Sequence, residues 1–264
     1  MTDNWLQHGQ ILYQHDLSNN VTLIKISRQE HLNALNKEVI NSLEEVLRLI
    51  DQDVRIRSVI ITGDGEKSFV AGADIKEFQE FNKLQAQDLS YIGKQKLFNK
   101  IANFTKPIIA AINGYALGGG LELALSCHIR VANTGAILGL PECKLGLIPG
   151  YGGTQRLPKI IGMGHAMEMI LTSKMIDAEE AHRIGLINYN VEPDKLIEKC
   201  LSIVKLINKT SPDSSKAAIS SINSSFLNEG DSVETEEFSK LFETSNFKEG
   251  VEAFLEKRRP NFNK

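Results

Sequence analysis

Short apolar runs alternate with segments of helical periodicity through the first part of the chain. Runs rich in β-branched residues predict strands at 21–27, 58–63, 107–114 and 128–132. Apolar residues three or four positions apart predict helices at 36–50 and 86–104, and another after the glycines that follow residue 117. Asn36 stands where a helix N-cap is expected. The alternation predicts an α/β fold with largely parallel strands that helices cover on both faces.

The pattern changes after about residue 150, where nearly every segment has helical spacing. A brief apolar stretch, LINYNV at 186–191, interrupts it. We therefore divide the chain into an α/β body at 1–200 and a helical region at 201–264. The helical region carries apolar residues that we expect to be buried between subunits, namely Phe238, Leu241, Phe242, Phe247 and Phe254.

Composition and charge narrow the class of protein. With 42% hydrophobic residues the chain can form a sizeable core, and its net charge of −3 gives no overall basic field for nucleic acid or an anionic membrane. Its cysteines, Cys127, Cys143 and Cys200, form no CxxC pair, which argues for a reducing compartment and against a disulfide framework or a zinc site. The first residues show no signal-peptide pattern, and no apolar run approaches the ~20 residues that span a bilayer. We expect a cytoplasmic protein with no membrane segment and no nucleic-acid partner.

Three consecutive glycines, residues 118–120, stand directly before a predicted helix in GYALGGGLELALS (114–126). Glycine costs a helix about 0.5–1 kcal/mol relative to alanine, so we expect the bare backbone to have a use there. The glycines match neither GxxxxGK[ST] nor GxGxxG, because position 123 is leucine. Free N–H groups at a helix start suit a carbonyl oxygen that gains negative charge, as in an oxyanion hole. A tight turn needed only for packing is the alternative.

Two further glycine-containing stretches accompany this one. SFVAGADIKEF (68–78) is a second small-residue turn that follows a strand and opens into a helix. An oxyanion hole needs two donors, and the two turns provide candidates. GLPECKLGLIPGYGGTQRLP (139–158) contributes a carboxylate, Glu142, in addition to Glu122. Each glutamate also suits an ordinary helix start, where the macrodipole favours a carboxylate.

These motifs, together with NALN at 33–36 and the ending EGVEAFLEKRRPNF (249–262), resemble the enoyl-CoA hydratase (crotonase) family in sequence and in order. The resemblance extends over nearly the whole chain. It implies a crotonase fold, which is an α/β spiral of ββα units followed by a helical trimerisation region, and assembly as a homotrimer or homohexamer. It also implies an acyl-CoA thioester substrate and no cofactor, neither metal nor redox group, because coenzyme A is part of the substrate.

The resemblance assigns roles to residues around the glycines. It implies that the backbone N–H groups of Ala73 and Gly119 form the oxyanion hole for the thioester carbonyl. Glu122 and Glu142 stand where hydratases of the family carry glutamate. The pair would hold a water, one assisting its attack at Cβ and the other supplying a proton to Cα, with Glu142 having the larger part in proton delivery. Gly150 matches a position that contacts this water through its backbone, and a packing turn is the alternative.

The rest of the substrate is assigned to the first turn and to the C-terminus. The residues that the resemblance implies for acyl-CoA binding are Ala71, Ala73, Asp74, Ile75, Lys76, Gly119, Gly150, Phe254 and Lys257. Lys76 is expected near a CoA phosphate. Lys257 and Phe254 are expected near the adenine, in some members of the family from a neighbouring subunit. A solvated basic face is the alternative for the C-terminal lysine.

The implied reaction adds water to a trans-2-enoyl-CoA to give a 3-hydroxyacyl-CoA, in fatty-acid or related acyl-CoA metabolism. An enoyl-CoA isomerase or a branched-chain enoyl-CoA hydratase of the same fold is the alternative, although many isomerases lack one of the two glutamates. An RNA-binding protein of this fold would need a lysine-rich helix, whereas 86–104 carries only Lys94, Lys96 and Lys100. His128 stands where the family frequently has aspartate, and we expect it to be structural.

Overall fold

The runs predicted as strands lie next to one another in a seven-stranded sheet. The computed structural model describes residues 4–262. Its strands are β1 (Leu6–His8), β2 (Ile11–Asp16), β3 (Val21–Ile26), β4 (Ser58–Gly63), β5 (Ser68–Val70), β6 (Ile108–Ile112), β7 (Tyr115–Leu117), β8 (Ile129–Asn133), β9 (Ile137–Gly139), β10 (Met175–Asp177) and β11 (Tyr189–Val191). Its α-helices are α1 (Lys37–Gln52), α2 (Lys83–Gly93), α3 (Asn99–Ala102), α4 (Gly119–Ser126), α5 (Gly153–Thr172), α6 (Ala178–Arg183), α7 (Leu196–Ile207), α8 (Pro212–Ser224), α9 (Gly230–Leu241) and α10 (Ser245–Leu255).

The large sheet has the order β1-β2-β3-β4-β6-β8-β11. Its strands run parallel from β3 to β11, and β1 and β2 form an antiparallel edge. β4 and β6 are buried along their whole length, as expected for strands covered on both faces. The predicted α/β core with largely parallel strands is confirmed.

A smaller sheet has the order β10-β9-β7-β5. Each of β5, β7 and β9 follows a strand of the large sheet and precedes a helical segment, so the chain repeats a ββα unit. This confirms the repeated unit expected of the crotonase fold. Each of these strands has only three residues, which are too few for an alternating pattern of hydrophobic and polar residues to be recognised. The sequence therefore predicts none of them.

Local capping explains where the predicted helices begin. The α1 helix starts after Asn36, whose side chain accepts the N–H of Val39, so the predicted N-cap is confirmed. The helix predicted at 86–104 begins earlier and ends earlier, spanning α2 to α3. Its start is fixed by a reciprocal pair of hydrogen bonds between Asn82 and Gln85.

A π-helical turn at Lys94–Phe98 joins α2 to α3. Such turns are uncommon and occur frequently at functional sites. This one brings Phe98, which is fully buried, against the ring of Tyr151 with the ring centroids 4.6 Å apart.

The α7 helix crosses the boundary predicted at residue 200. Its buried residues Leu196, Cys200 and Val204 pack against the large sheet. Contact with the α/β body therefore continues to at least Val204, and the division into 1–200 and 201–264 stays a prediction. Two short strands, β10 and β11, also lie in the part predicted to be nearly all helical, and β11 falls within the LINYNV stretch.

The last three helices leave large apolar side chains on the surface. Phe238 is 63% exposed and Phe254 is 82% exposed. The ring of Phe242 contacts the rings of Phe238 and Phe247. Such a surface is consistent with burial between subunits, which stays a prediction. No helix among residues 4–262 has the length and apolar character needed to cross a membrane.

Candidate active site

Two glycine-containing turns meet because the strands before them are neighbours. β5 and β7 pair in parallel in the smaller sheet, with Val70 opposite Ala116. Parallel strands end at the same edge of a sheet, so the AGA turn after β5 and the GGG turn after β7 emerge side by side.

The Ala73 N–H is directed by a contact with Leu35, which lies in the NALN motif. Leu35 donates its N–H to the carbonyl of Gly72 and accepts the N–H of Asp74. Successive N–H groups of an extended chain point to opposite sides, so the N–H of Ala73 points away from Leu35. Sequence patterns alone do not reveal this use of the NALN motif.

Steric requirements differ among the three consecutive glycines. Gly118 has a φ of +50°, and a Cβ there would lie 2.9 Å from Glu142 Oε1. A Cβ at Gly120 would lie 1.9 Å from the carbonyl oxygen of Val70, an impossible contact. A Cβ at Gly119 would lie 3.6 Å from the backbone nitrogen of Ala73. The packing explanation therefore suffices for Gly120, whereas Gly119 is bare where the two turns approach each other.

The N–H groups of Ala73 and Gly119 form a pair of adjacent donors. Among residues 4–262, neither has a hydrogen-bond partner. Gly119 is the first residue of α4, so its N–H also lies at the positive end of the helix macrodipole. Two unpaired donors in this position suit an oxygen that becomes negatively charged.

Glu122 lies one turn further along α4 and is 1% exposed. Its Oε1 accepts the backbone N–H groups of Tyr151 and Gly153, each at 2.7 Å. Its Oε2 has no hydrogen bond within the described part of the chain. Burial raises the pKa of Glu122 to about 7, and the charge of Glu142 adds to this rise, whereas the two N–H donors and Arg156 oppose it. Glu122 therefore changes protonation near neutral pH.

Tyr151, Gly153 and Arg156 support Glu122, a role that no sequence motif predicts for them. Arg156 donates to the Tyr151 carbonyl at 3.0 Å and to the Asn99 side chain at 2.8 Å, which fixes the residue whose N–H holds Glu122. A Cβ at Gly153 would lie 3.1 Å from Glu122 Cγ. The sequence signal for this support is the glycine pair at 152–153. Like the glycines at 118–120, the pair indicates that a backbone without side chains is needed there.

Glu142 lies in a 3-10 turn, Pro141–Leu145, and its carboxylate borders the glycine turn through the approach to Gly118. Its Oε2 is buried and has no hydrogen-bond partner among residues 4–262. Burial raises the pKa of Glu142, and its own N–H opposes the rise. A buried carboxylate oxygen ordinarily has a partner, so this atom is available to a substrate or a water.

Gly150 lies beside the segment that holds Glu122. Its carbonyl accepts the Ser90 hydroxyl at 2.7 Å. A Cβ at Gly150 would meet nothing within 4 Å, so packing does not require a glycine there. Its predicted contact with a water stays a prediction.

The residues of the first turn that are predicted to bind acyl-CoA differ in their exposure to solvent and in their contacts within the chain. Asp74 is paired with Arg28 at 2.7 Å, and this hydrogen bond lowers the pKa of the carboxyl. Ile75 and Lys76 are exposed beside it, and Ala71 donates its N–H to Leu32. The Asp74 side chain is therefore engaged within the chain, while Lys76 is open to a ligand.

Phe254 and Lys257 lie at the end of α10 and just after it, both exposed to solvent. Neither is brought into hydrogen-bonding or ion-pair contact with Ala73, Gly119 or the two glutamates among the described residues. The predicted contact of these C-terminal residues with the substrate stays a prediction.

His128 is structural, as expected. Its Nδ1 accepts the N–H of Ile108 at 2.8 Å, which leaves Nε2–H to donate to the Ala102 carbonyl at 3.2 Å. Burial lowers the pKa of His128 to about 4, so the ring is neutral at physiological pH. Within residues 4–262 no cluster of three or more His, Cys, Asp or Glu side chains is arranged to hold a metal.

Known proteins are similar to this chain over most of its length. Residues 16–264 match the sequence profile of the family described as Enoyl-CoA hydratase/isomerase. The short-chain-enoyl-CoA hydratase of Clostridium acetobutylicum is 42% identical over 242 residues, which cover 90% of this chain and 92% of that protein. The crotonyl-CoA hydratase of Syntrophomonas wolfei is 41% identical over 245 residues, covering 92% and 94% of the two chains.

A solved structure agrees with the sequence matches. The crystal structure of an enoyl-CoA hydratase from Bacillus anthracis superposes with a TM-score of 0.88 at 37% identity, covering 96% of this chain and 98% of that one. The crotonase fold inferred from the sequence is thereby confirmed. The chain belongs to the enoyl-CoA hydratase/isomerase family.

Proposed function

We propose that the enzyme adds water to a trans-2-enoyl-CoA to give a 3-hydroxyacyl-CoA. The observation that carries this proposal is the placement of two carboxylates, Glu122 and Glu142, beside the unpaired N–H groups of Ala73 and Gly119. The similarity to relatives named as short-chain-enoyl-CoA and crotonyl-CoA hydratases supports it.

The two N–H groups would donate hydrogen bonds to the thioester carbonyl oxygen of the substrate. As water attacks Cβ, electrons move through the conjugated double bond to this oxygen, which becomes an enolate. Donors that already point at the developing charge stabilise it without reorganisation. Removing one such donor typically raises the activation barrier by about 3–4 kcal/mol. The macrodipole of α4 acts in the same direction.

The two carboxylates would transfer the protons of the reaction. Glu122 has Oε1 fixed by two N–H donors, so Oε2 is the atom left to hold the water and assist its deprotonation. Glu142, with a buried unpaired Oε2, would deliver a proton to Cα as the enolate collapses. Water thus supplies a hydroxyl group to Cβ, its proton goes to Glu122, and Glu142 gives a proton to Cα. A proton passed from Glu122 to Glu142 through a water then restores both carboxyl groups.

An isomerase of the same family would need only to move a proton between two carbons of the substrate. Two carboxylates at one oxyanion site favour hydration, because a water can be oriented by both. The deciding experiment incubates the enzyme with crotonyl-CoA and follows the loss of the conjugated thioester absorbance, with the product analysed by mass spectrometry. A product heavier by one water supports the proposal, and a product of unchanged mass with a shifted double bond overturns it.

Further parts of the proposal concern the rest of the substrate. We infer that Lys76, exposed beside the Ala73 turn, meets a CoA phosphate, and that Phe254 and Lys257 reach the adenine end of a substrate. Coenzyme A enters as part of the substrate, and we propose no metal or redox cofactor for the reaction.

We also propose that the chain forms a homotrimer or homohexamer and acts in the cytoplasm, in fatty-acid or related acyl-CoA metabolism. The exposed aromatic residues of α9 and α10 support the assembly. We propose no nucleic-acid partner, since the net charge is −3 and Lys100 of the candidate basic helix is paired with Glu44.

A further inference from the structure

A cavity of about 470 Å³ lies behind the active site, between α3, the end of α4, α5 and α8. Positive side chains line it, namely Arg130, Arg156 and Lys159. No aspartate or glutamate is among the described residues that line it. At about 30 Å³ for each water, the cavity has room for a hydrated ion or a small organic anion.

Arg130 is the most buried of these cations, at 8% exposure. Its Nε donates to the Leu186 carbonyl at 2.8 Å and its Nη1 to the Cys127 carbonyl at 2.7 Å. Its Nη2 has no hydrogen bond, and the guanidinium has no ion-pair partner, within residues 4–262. Buried charges are ordinarily paired, because burial without a counter-charge costs several kcal/mol.

The neighbours of Arg130 do not supply the missing charge. His128, two residues before it on the same strand, is a neutral ring that bonds Ile108 and Ala102. Arg156 directs its guanidinium to neutral acceptors, the Tyr151 carbonyl and the Asn99 side chain, and the carboxylate whose charge acts on it, Glu122, does not line the cavity. The cavity therefore has a net positive charge in a partly enclosed, low-dielectric setting, which strengthens its attraction for an anion.

The rim adds a third cation. Lys159 is exposed, and its ammonium lies 5.1 Å from the centre of the Phe226 ring, which holds it at the mouth of the cavity. Asn223 on α8 donates to the Ala102 carbonyl, which ties this wall of the cavity to α3. The walls are therefore built from elements that contact one another directly.

We propose that this cavity binds a small oxyanion, a phosphate or a carboxylate, against the guanidinium groups of Arg130 and Arg156. Guanidinium groups bind such oxyanions through paired N–H donors, which matches the free donor of Arg130. The site is separate from the proposed enoyl-CoA site, although Arg156 connects the two through Tyr151, whose carbonyl accepts from Arg156 and whose N–H donates to Glu122.

The test measures binding by isothermal titration calorimetry with sodium phosphate and sodium acetate, each compared with sodium chloride at equal ionic strength. Saturable binding of phosphate, of acetate or of both is expected, and the two arms distinguish which oxyanion the cavity prefers. An absence of saturable binding in both arms overturns the proposal.

Variants of Ile222 locate the site without disturbing the core. Ile222 lines the cavity from α8 and is 69% exposed. Ile222→Glu adds a negative charge to the lining of the cavity and should weaken the binding of an anion strongly, whereas Ile222→Gln, of equal size and no charge, should retain it. Undiminished binding by Ile222→Glu would place the anion elsewhere and overturn the proposal.

Charge-removing variants complete the test. Arg130→Met should weaken oxyanion binding about 10- to 100-fold, the usual loss when a charge-assisted hydrogen bond is removed. Because Arg130 is buried and its loss can disturb folding, Lys159→Met at the rim serves as the second variant and should weaken binding several-fold. Unchanged affinity in a folded Lys159→Met would contradict the assignment, as undiminished binding by Ile222→Glu would.

Discussion

The backbone N–H of Tyr151 donates to Glu122 Oε1 at 2.7 Å, so an aromatic residue outside α4 fixes the most buried carboxylate of the site. The Tyr151 ring is in turn stacked on Phe98, with an angle of 11° between the ring planes. The π-helical turn that carries Phe98 is therefore connected to Glu122 through Tyr151, which contacts both residues.

The first prediction concerns this stack. Phe98→Ala should lower the free energy of unfolding by about 3–5 kcal/mol, because it leaves a cavity in a fully buried position. Urea denaturation measures the change. Leu206→Ala, at an exposed position of α7, is the control and should change stability by less than about 1 kcal/mol. A Phe98→Ala variant as stable as the wild type would contradict the packing role.

The second prediction concerns the Gly119 donor. Gly119→Pro removes its N–H, and proline is favoured at the first position of a helix, so α4 should still form. We expect kcat/KM for enoyl-CoA to fall by about 10²–10³, the usual cost of one oxyanion donor. Steady-state kinetics with crotonyl-CoA provide the measurement, and circular dichroism verifies folding.

Gly119→Ala is the matched control for that substitution. It keeps the N–H, and its Cβ would lie 3.4 Å or more from every neighbour, which is ordinary contact. It should therefore lose far less activity than Gly119→Pro. Equal losses in the two folded variants would mean that bulk, and not the missing donor, is responsible.

The sequence predicts the regular part of this fold well because its signals are local. The 58–63 run matches β4 at both ends, and Asn36 caps α1 as expected. The hydrogen bond from Gly153 to Glu122 joins residues 31 positions apart, so no periodic pattern reports it. The convergence of Glu122 and Glu142 could be inferred only from the resemblance to a family. The residues around either glutamate do not indicate that the other one lies near it in the fold.

The third prediction follows from the raised pKa of Glu122. A carboxyl whose pKa rises from 4.5 to about 7 on folding contributes stability that is fully present below pH 4.5 and is lost as pH rises through 7. Glu122→Gln has no such proton to lose. The free energy of unfolding of the wild type, relative to Glu122→Gln, should therefore fall by about 3 kcal/mol between pH 4 and pH 8.

Urea denaturation of both proteins across this pH range tests the third prediction. Glu236→Gln serves as a control, because the hydrogen bond from Lys240 lowers the pKa of that exposed carboxyl. Its small effect should have the opposite sign, with the wild type gaining stability relative to the variant as pH rises. A constant difference between the wild type and Glu122→Gln would contradict the raised pKa.

The fourth prediction concerns assembly. Phe238 is 63% exposed on α9, so Phe238→Glu should leave the fold of a single subunit intact but break a subunit interface that covers it. Sedimentation velocity should then show a shift towards monomers. Val54→Glu, at a 91% exposed position in the loop before β4, should sediment like the wild type. A Phe238→Glu protein of unchanged size would exclude this face from the interface.

The last prediction decides the chemistry. If a water is held between two carboxylates, Glu122→Gln and Glu142→Gln should each slow hydration by about 10²–10⁴, because glutamine keeps the shape of glutamate but does not exchange a proton at neutral pH. Binding of the CoA thioester should change little, since the backbone N–H groups of Ala73 and Gly119 hold its carbonyl. Rates come from the loss of the conjugated thioester absorbance, and affinities from calorimetry with a saturated acyl-CoA. If one substitution abolished turnover while the other left it unchanged, a single carboxylate would suffice, and the two-carboxylate mechanism would be wrong.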